Sequence, residues 1–209
     1  MKISKMVINN FRLLKSTEID LEKELSLIIG KNNCGKTSVL TVLTKFLGEQ
    51  STTNNFNYDD FNIDFQNELF QCVDENVEKW RGRKCQGIEL YVFIQYDDAD
   101  NLANISSLML DLDPDNKMVV LKLEYILDDT GVLTLKESFE KYYERFKNDK
   151  KNKLSKRECY DKFMHLKSRQ FFKIIYKAVL FDKTTKKISS DVFRVIDKRK
   201  IDLSKIISI

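Results

Sequence analysis

Leu25-Ser26-Leu27-Ile28-Ile29-Gly30-Lys31-Asn32-Asn33-Cys34-Gly35-Lys36-Thr37-Ser38, with the apolar-periodic run that follows it to Leu47, is the stretch on which the fold turns. Its first five residues predict a strand. The next eight, Gly30 to Thr37, fit G-x-x-x-x-G-K-[ST], and the strand before and helix after them are the context a phosphate-binding loop requires. Gly30 and Gly35 let the backbone curl so that successive N–H groups and the following helix N-terminus face negative charge. Lys36 is placed to meet β and γ phosphates as a point charge, and the Thr37 hydroxyl to ligate a magnesium ion on the same oxygens. The loop, with Asn32, Asn33, Cys34 and Ser38 completing its contacts, is therefore expected to hold ATP and magnesium together. Val39, Leu40, Val42, Leu43, Phe46 and Leu47 recur at helical spacing and predict one buried stripe, closed by Gly48.

Around this stretch the composition is that of a globular chain. A length of 209 residues, 42% hydrophobic and 33% charged, is enough to bury a substantial core in one domain or two. The first eleven residues are too polar for a signal peptide, and no run reaches the length of a membrane span. Cys34, Cys72, Cys85 and Cys159 stand far apart and His165 is the single histidine, a pattern that suggests neither a zinc site nor a disulfide framework and fits a reducing cytoplasm. Cys34 is either a thiol made more acidic by a helix N-terminus and Lys36 or the filler of a permissive loop position.

Charge is unevenly spread. The net +4 divides into +3 over residues 1–50, −11 over 51–130 and +12 over 131–209, so that one surface repels polyanions and another attracts them. Lys150, Lys151, Lys153, Lys156, Arg157, Lys162, Lys167 and Arg169 cluster near one expected helix, which is either a solvated face or a track for a phosphate backbone.

Two strand-like stretches, Met1 to Phe11 and Ile19 to Leu21, precede the loop strand. Small nucleotide kinases and Ras-like GTPases usually open directly on that strand, so the order argues against them. The run Ile8-Asn9-Asn10-Phe11-Arg12-Leu13-Leu14-Lys15, then Ile19-Asp20-Leu21, then Ile29 to Ser38 resembles the amino-terminal pattern of ABC-type ATPases that work on DNA, the group containing SMC, RecF and the OLD (overcoming lysogenization defect) family. The G-K-N-N-x-G-K-T-S form is most similar to OLD-like ATPases, many of which carry a nuclease domain and serve in defence against phage. The close match covers about the first 48 residues. This resemblance implies an α/β fold, a P-loop NTPase lobe of ABC-ATPase type with an added antiparallel β meander and helices. It implies that Arg12, the arginine of N-F-R, lies near the nucleotide, and that a second ATPase subunit and nucleic acid are partners. The alternative for Arg12 is a surface arginine at a strand end.

Further along, residues 49–57 predict a loop. Tyr58 to Val77 predicts one or two helices with an acidic outer face. Ile88–Tyr96 and Val119–Leu127 predict antiparallel strands of a meander reaching Leu135, set off by the turn-forming Asp113–Asn116 and Asp128–Gly131. Helices are expected from Leu135 to Phe146 and, opened by the capping box Ser155-x-x-Glu158, to about Arg169. Strands are expected at Phe171–Phe181 and Val192–Ile196. Residues 1–48, 49–135 and 136–209 are thus read as three parts of one ABC-type ATPase domain.

Such a site needs a second carboxylate at a strand end. Asp97 or Asp98 after Ile94-Gln95-Tyr96, and Asp182 after Leu180-Phe181, are the candidates, with Gln95 a candidate γ-phosphate sensor. Each is equally readable as an ordinary polar residue of a sheet or turn. No LSGG-like stretch or later acidic strand follows, so the chain is expected to be the amino-terminal lobe of a longer protein, binding ATP weakly and turning it over poorly. The rivals are a small P-loop kinase and a regulatory or DNA-binding module that holds ATP as a structural ligand.

Overall fold

The computed structural model describes residues 1–22, 35–48, 55–83, 85–111, 113–147 and 154–197, with Ser190 described by its backbone alone. The strand expected at Leu25–Ile29 and the loop residues Gly30 to Cys34 lie outside these, as do Lys150, Lys151 and Lys153.

Among the described residues, six strands form one sheet in the order β2-β1-β3-β4-β5-β6. They are β1 (Lys2–Phe11), β2 (Leu14–Asp20), β3 (Gly87–Gln95), β4 (Met118–Ile126), β5 (Lys173–Asp182) and β6 (Lys187–Ile196). Every pairing is antiparallel. The fold is mixed α/β, and the antiparallel meander, expected as an addition to a P-loop lobe, has a larger part than that. Antiparallel strands are the whole of the described sheet, and β1 itself is built into the meander by pairing with β3.

Alternation along the strands gives the sheet two unlike faces. Met6, Ile8, Leu90, Val92, Leu121, Leu123, Tyr176 and Ala178 point to the face that α1 (Lys36–Leu47), α2 (Ile63–Asp74), α3 (Asp129–Lys147) and α4 (Lys156–Lys167) cover, and they share one core with these helices. The opposite face carries a small apolar cluster around Phe93, Val120 and Val179 beside a ladder of charge. There Lys122 Nζ lies 2.8 Å from Glu89 and 2.6 Å from Glu124, and Lys177 lies 2.6 Å from Glu124. Both glutamates are buried. Burial alone would lower the Lys122 pKa, but Glu89, Tyr91 and the hydrogen bond to Glu124 more than reverse that and hold it above the usual lysine range.

Aromatic residues weld helices to sheet. Phe56 stacks on Tyr125 with ring centroids 4.7 Å apart, Phe61 lies between Phe65 and Phe172, and Trp80 donates its indole N–H to the Leu127 carbonyl at 2.9 Å. Close packing also decides a glycine, because a Cβ on Gly87 would stand 2.0 Å from the Tyr125 carbonyl oxygen across the β3–β4 pair.

Several expectations shift. Leu40 leaves the buried stripe of α1 and is 65% exposed, while Val39, Val42 and Phe46 hold the core. The Asp128–Gly131 turn signal marks a helix start instead: Asp128 Oδ1 accepts from the Gly131 N–H at 2.7 Å and from the Thr130 hydroxyl at 2.9 Å, so α3 begins six residues before Leu135. Asp60 is buried, not part of an acidic outer face. The capping box is present at α4, with the Ser155 N–H donating to Glu158 at 2.8 Å.

Candidate nucleotide site

The β1–β2 hairpin and the start of α1 meet. Gly35, the N-cap of α1, has φ 93°, in the left-handed region, and a Cβ there would come within 2.9 Å of Leu14 Cδ2. Gly35 as N-cap brings no side chain to α1, and the first turn of the helix holds no acid, so its leading N–H groups suit an anion. Ser38 is buried, and Thr37 is exposed at the second helical position with its carbonyl accepting from the Thr41 hydroxyl at 2.8 Å. Lys36 opens the helix. Gly30, Asn32, Asn33 and Cys34 lie outside the described residues.

Arg12 occupies the turn of that hairpin, two residues from Leu14, with φ 51°. A left-handed non-glycine residue is held by its surroundings, and here they are explicit. The Arg12 N–H donates to the Asp60 carbonyl at 2.8 Å, the Asn62 N–H donates to the Asn10 carbonyl at 2.9 Å, and the Asn62 side-chain amide donates to the Arg12 carbonyl at 2.6 Å. The guanidinium then places Nε and Nη2 at 3.0 and 2.9 Å from Asp60 Oδ1. Asp60 Oδ2 takes Lys45 Nζ from α1 at 3.0 Å and the Asn57 N–H at 2.9 Å. One carboxylate, 2% exposed, thus ties the hairpin turn, the loop before α2 and the flank of the phosphate-loop helix together. Sequence reading missed Asp60. Its position amid Phe56, Tyr58, Phe61 and Phe65 was the available signal, since an acid in an aromatic run needs a buried cation.

The other candidate carboxylates sit elsewhere. Lys2 pairs with Gln95 and Asn9 with Glu89, so Gln95 and the aspartates after it lie at the far end of β1, about 30 Å from its Phe11 end at the rise of a strand. Asp97 accepts from the Ala99 N–H at 3.0 Å, and Asp98 pairs with Lys117. Asp182 ends β5 at that same far edge, where it accepts from the N–H groups of Thr184 and Thr185, bonds that lower its pKa. The structure does not bring any of them to Gly35.

Three of the cations expected to cluster near α4 are engaged within the fold. Lys156 pairs with Asp74, Arg157 with Asp161, and Arg169 donates to the Phe56 carbonyl and the Asn57 side chain. Burial pushes the Cys72 and Cys159 thiols up, and burial with Glu89 beside it pushes Cys85 up to about 12. Among the described residues no group of His, Cys, Asp and Glu is arranged to hold a metal, and no helix is long and apolar enough to cross a membrane.

A left-handed glycine at the N-cap of a helix with no acid in its first turn, within the sequence G-x-x-x-x-G-K-T, suits a nucleotide-binding ATPase. The profile of the AAA ATPase domain family matches residues 1–206, and the chain belongs to that family. A search of the curated proteins finds no match to it.

Proposed function

We propose that the chain is the ATP-binding lobe of an OLD-like ATPase, in which MgATP held at Gly30 to Ser38 favours association with a second ATPase subunit and that state gates action on nucleic acid. The observation that carries the nucleotide site is Gly35: its left-handed φ, its lack of a side chain at the N-cap and the acid-free first turn of α1 favour an anion at the helix N-terminus. Membership of the AAA ATPase domain family supports ATP as the ligand. When bound, ATP supplies the phosphoryl group and magnesium neutralises charge on its β and γ oxygens. The residues present fit them. Lys36 would meet the terminal phosphates and the exposed Thr37 hydroxyl would ligate the metal, and the hairpin that carries Arg12 touches Gly35 through Leu14. The basic residues after 131 support a polyanionic partner, with Lys162 and Lys167 of α4 the contacts to test first, because Lys156, Arg157 and Arg169 are engaged within the fold.

The test is MgATP binding and turnover by this chain beside Lys36→Ala. The expected result is measurable binding lost at least tenfold in the variant, with slow or absent turnover in both. Equal affinity of the two proteins would defeat the site.

A further inference from the structure

Asp60 has more donors on it than a loop needs. A carboxylate 2% exposed receives two N–H groups of Arg12, the ammonium of Lys45 and the Asn57 N–H, and nothing in the nucleotide reading above gives it a part. Arg12 is 39% exposed in its side chain. It is held on the Nε edge through Nε and Nη2, both directed at the same oxygen, Oδ1. A guanidinium has five N–H donors in a rigid fork, so fixing that edge sets the direction of the remaining ones.

We infer that Asp60 is a positioning residue for nucleotide binding: it holds the Arg12 guanidinium on one edge so that the other edge is presented to the phosphates of a nucleotide bound at the start of α1. This rests on the nucleotide site proposed above and adds a residue to it.

The opposite role would be a latch that keeps Arg12 away until nucleotide displaces it. The backbone argues for positioning. The segment 60–62 grips Arg12 by its N–H and its carbonyl as well as by its guanidinium, and Phe11 bridges to Phe61 between these bonds. A side chain meant to be released has no use for a left-handed main chain pinned on both sides. A side chain meant to meet a ligand gains from it, because the ordering cost is met on folding and not on binding. Lys45, in the last turn of α1 and 8% exposed, stays on Asp60 in either case.

The experiment is a double-mutant cycle in MgATP affinity, read by a fluorescent ATP analogue and by isothermal titration, with thermal unfolding of each nucleotide-free protein recorded in parallel. Asp60→Asn and Arg12→Ala should each weaken binding about tenfold, a loss the size of one charge-assisted contact, and the double variant should be no weaker than either alone. Because Asp60→Asn strands the Lys45 ammonium, Asp60→Asn is also made with Lys45→Met, which removes that unpaired charge and separates folding from positioning; the weakened affinity should persist in it. Low concentrations of guanidinium should restore binding to Arg12→Ala while Asp60 is present and fail to do so when Asp60 is Asn. Lys15→Met, which breaks the exposed Lys15–Asp64 pair on the same hairpin, should leave affinity unchanged. Additive losses, rescue independent of Asp60, or tighter binding by Asp60→Asn would overturn the inference while leaving the nucleotide site standing. Wild type that binds MgATP no better than Lys36→Ala would remove the site itself, and the inference with it.

Discussion

The two ends of the antiparallel sheet are both supplied with acids by the sequence, and they use them in opposite ways. At the end where Phe11 meets Leu14 and the start of α1, Asp60 is buried and carries cations from two different elements. At the other end, Asp97, Asp98, Asp100, Asp113 and Asp182 accept from nearby N–H groups in their own turns or pair with exposed or terminal cations. The local strings look alike: Tyr58-Asp59-Asp60-Phe61 and Tyr96-Asp97-Asp98 each put a pair of aspartates after an aromatic residue. What separates them is the surroundings of the second aspartate. Asp60 is buried in a stretch whose Phe56, Tyr58, Phe61 and Phe65 are buried too, whereas the Asp98 side chain is 89% exposed. Burial turns a carboxylate from a turn-former into an organising charge, because a buried charge must find partners and thereby fixes where they sit.

The largest break of this comparison is Asp60→Ala. It leaves the buried Lys45 ammonium and part of the Arg12 guanidinium without their counter-charge, and removing one member of a buried ion pair costs about 3–5 kcal/mol. Arg12 is partly solvated, which places the expected loss near the low end, about 3 kcal/mol. Urea unfolding at pH 7 measures it. Lys45→Met in the same background should recover part of the loss, and a loss that Lys45→Met does not touch would show that the ammonium was never Asp60's burden.

Next is Gly35→Ala, which tests the same end through the backbone. A Cβ at φ 93° is strained and meets Leu14. The left-handed conformation costs an L-residue about 1–2 kcal/mol, and Leu14 is a flexible side chain able to shift. The expected destabilisation is therefore about 1–2 kcal/mol, with MgATP affinity falling by more than stability does.

What could be read in the sequence follows the same division between local and non-local causes. The strand β1, the β3–β4 pair, the capping box at Ser155 and the helix α1 after Gly35 were legible because each is written in a contiguous pattern of alternation, turn chemistry or fixed spacing. The insertion of β1 between β2 and β3 was not, since a hydrophobic strand says which face is buried and not which strand lies beside it. Leu40 was misjudged because helical spacing admits a stripe wider than the core covers: Val39, Val42 and Phe46 are buried and Leu43 and Leu47 pack partly against them, while Leu40 faces out. Asp128-Asp129-Thr130-Gly131 failed for a further reason. The residues that make a turn also cap a helix, and the choice between them depends on whether Val132, Leu135 and Phe139 find a core to enter, as they do.

Asp128 gives a smaller, pH-resolved test at the Ile126 end of β4. Hydrogen bonds from Lys173 first, then from the Gly131 N–H, outweigh burial and hold its carboxyl down at about 2, against an ordinary 3.8. A folded pKa below the unfolded one means that the stabilisation is complete above about pH 4 and is lost as the pH falls towards 2. Its side chain is 37% exposed, so screening reduces the contribution to about 1 kcal/mol or less. Asp128→Ala should cost about that much at pH 7, and the gap from wild type should close in acid. A gap constant from pH 7 to pH 3 would mean that the aspartate acts by shape and not by charge.

The smallest effects are expected at the opposite end, and their smallness is informative. Asp98→Asn removes a pairing with Lys117 that solvent already screens, and Asp182→Asn keeps an acceptor for the Thr184 and Thr185 N–H groups. Neither should move the thermal midpoint at pH 7 measurably, and neither should change MgATP affinity, because β1 separates that end from Gly35 by about 30 Å. The Asp182 pKa is lowered by its backbone bonds, so whatever small stabilisation it gives is present above the ordinary carboxylate pKa and disappears as the pH falls through the folded value. A tenfold loss of MgATP affinity in either variant would require the far end of the sheet to reach the nucleotide. The contrast between a buried organising acid and exposed turn-forming ones would then no longer explain which carboxylates serve the site.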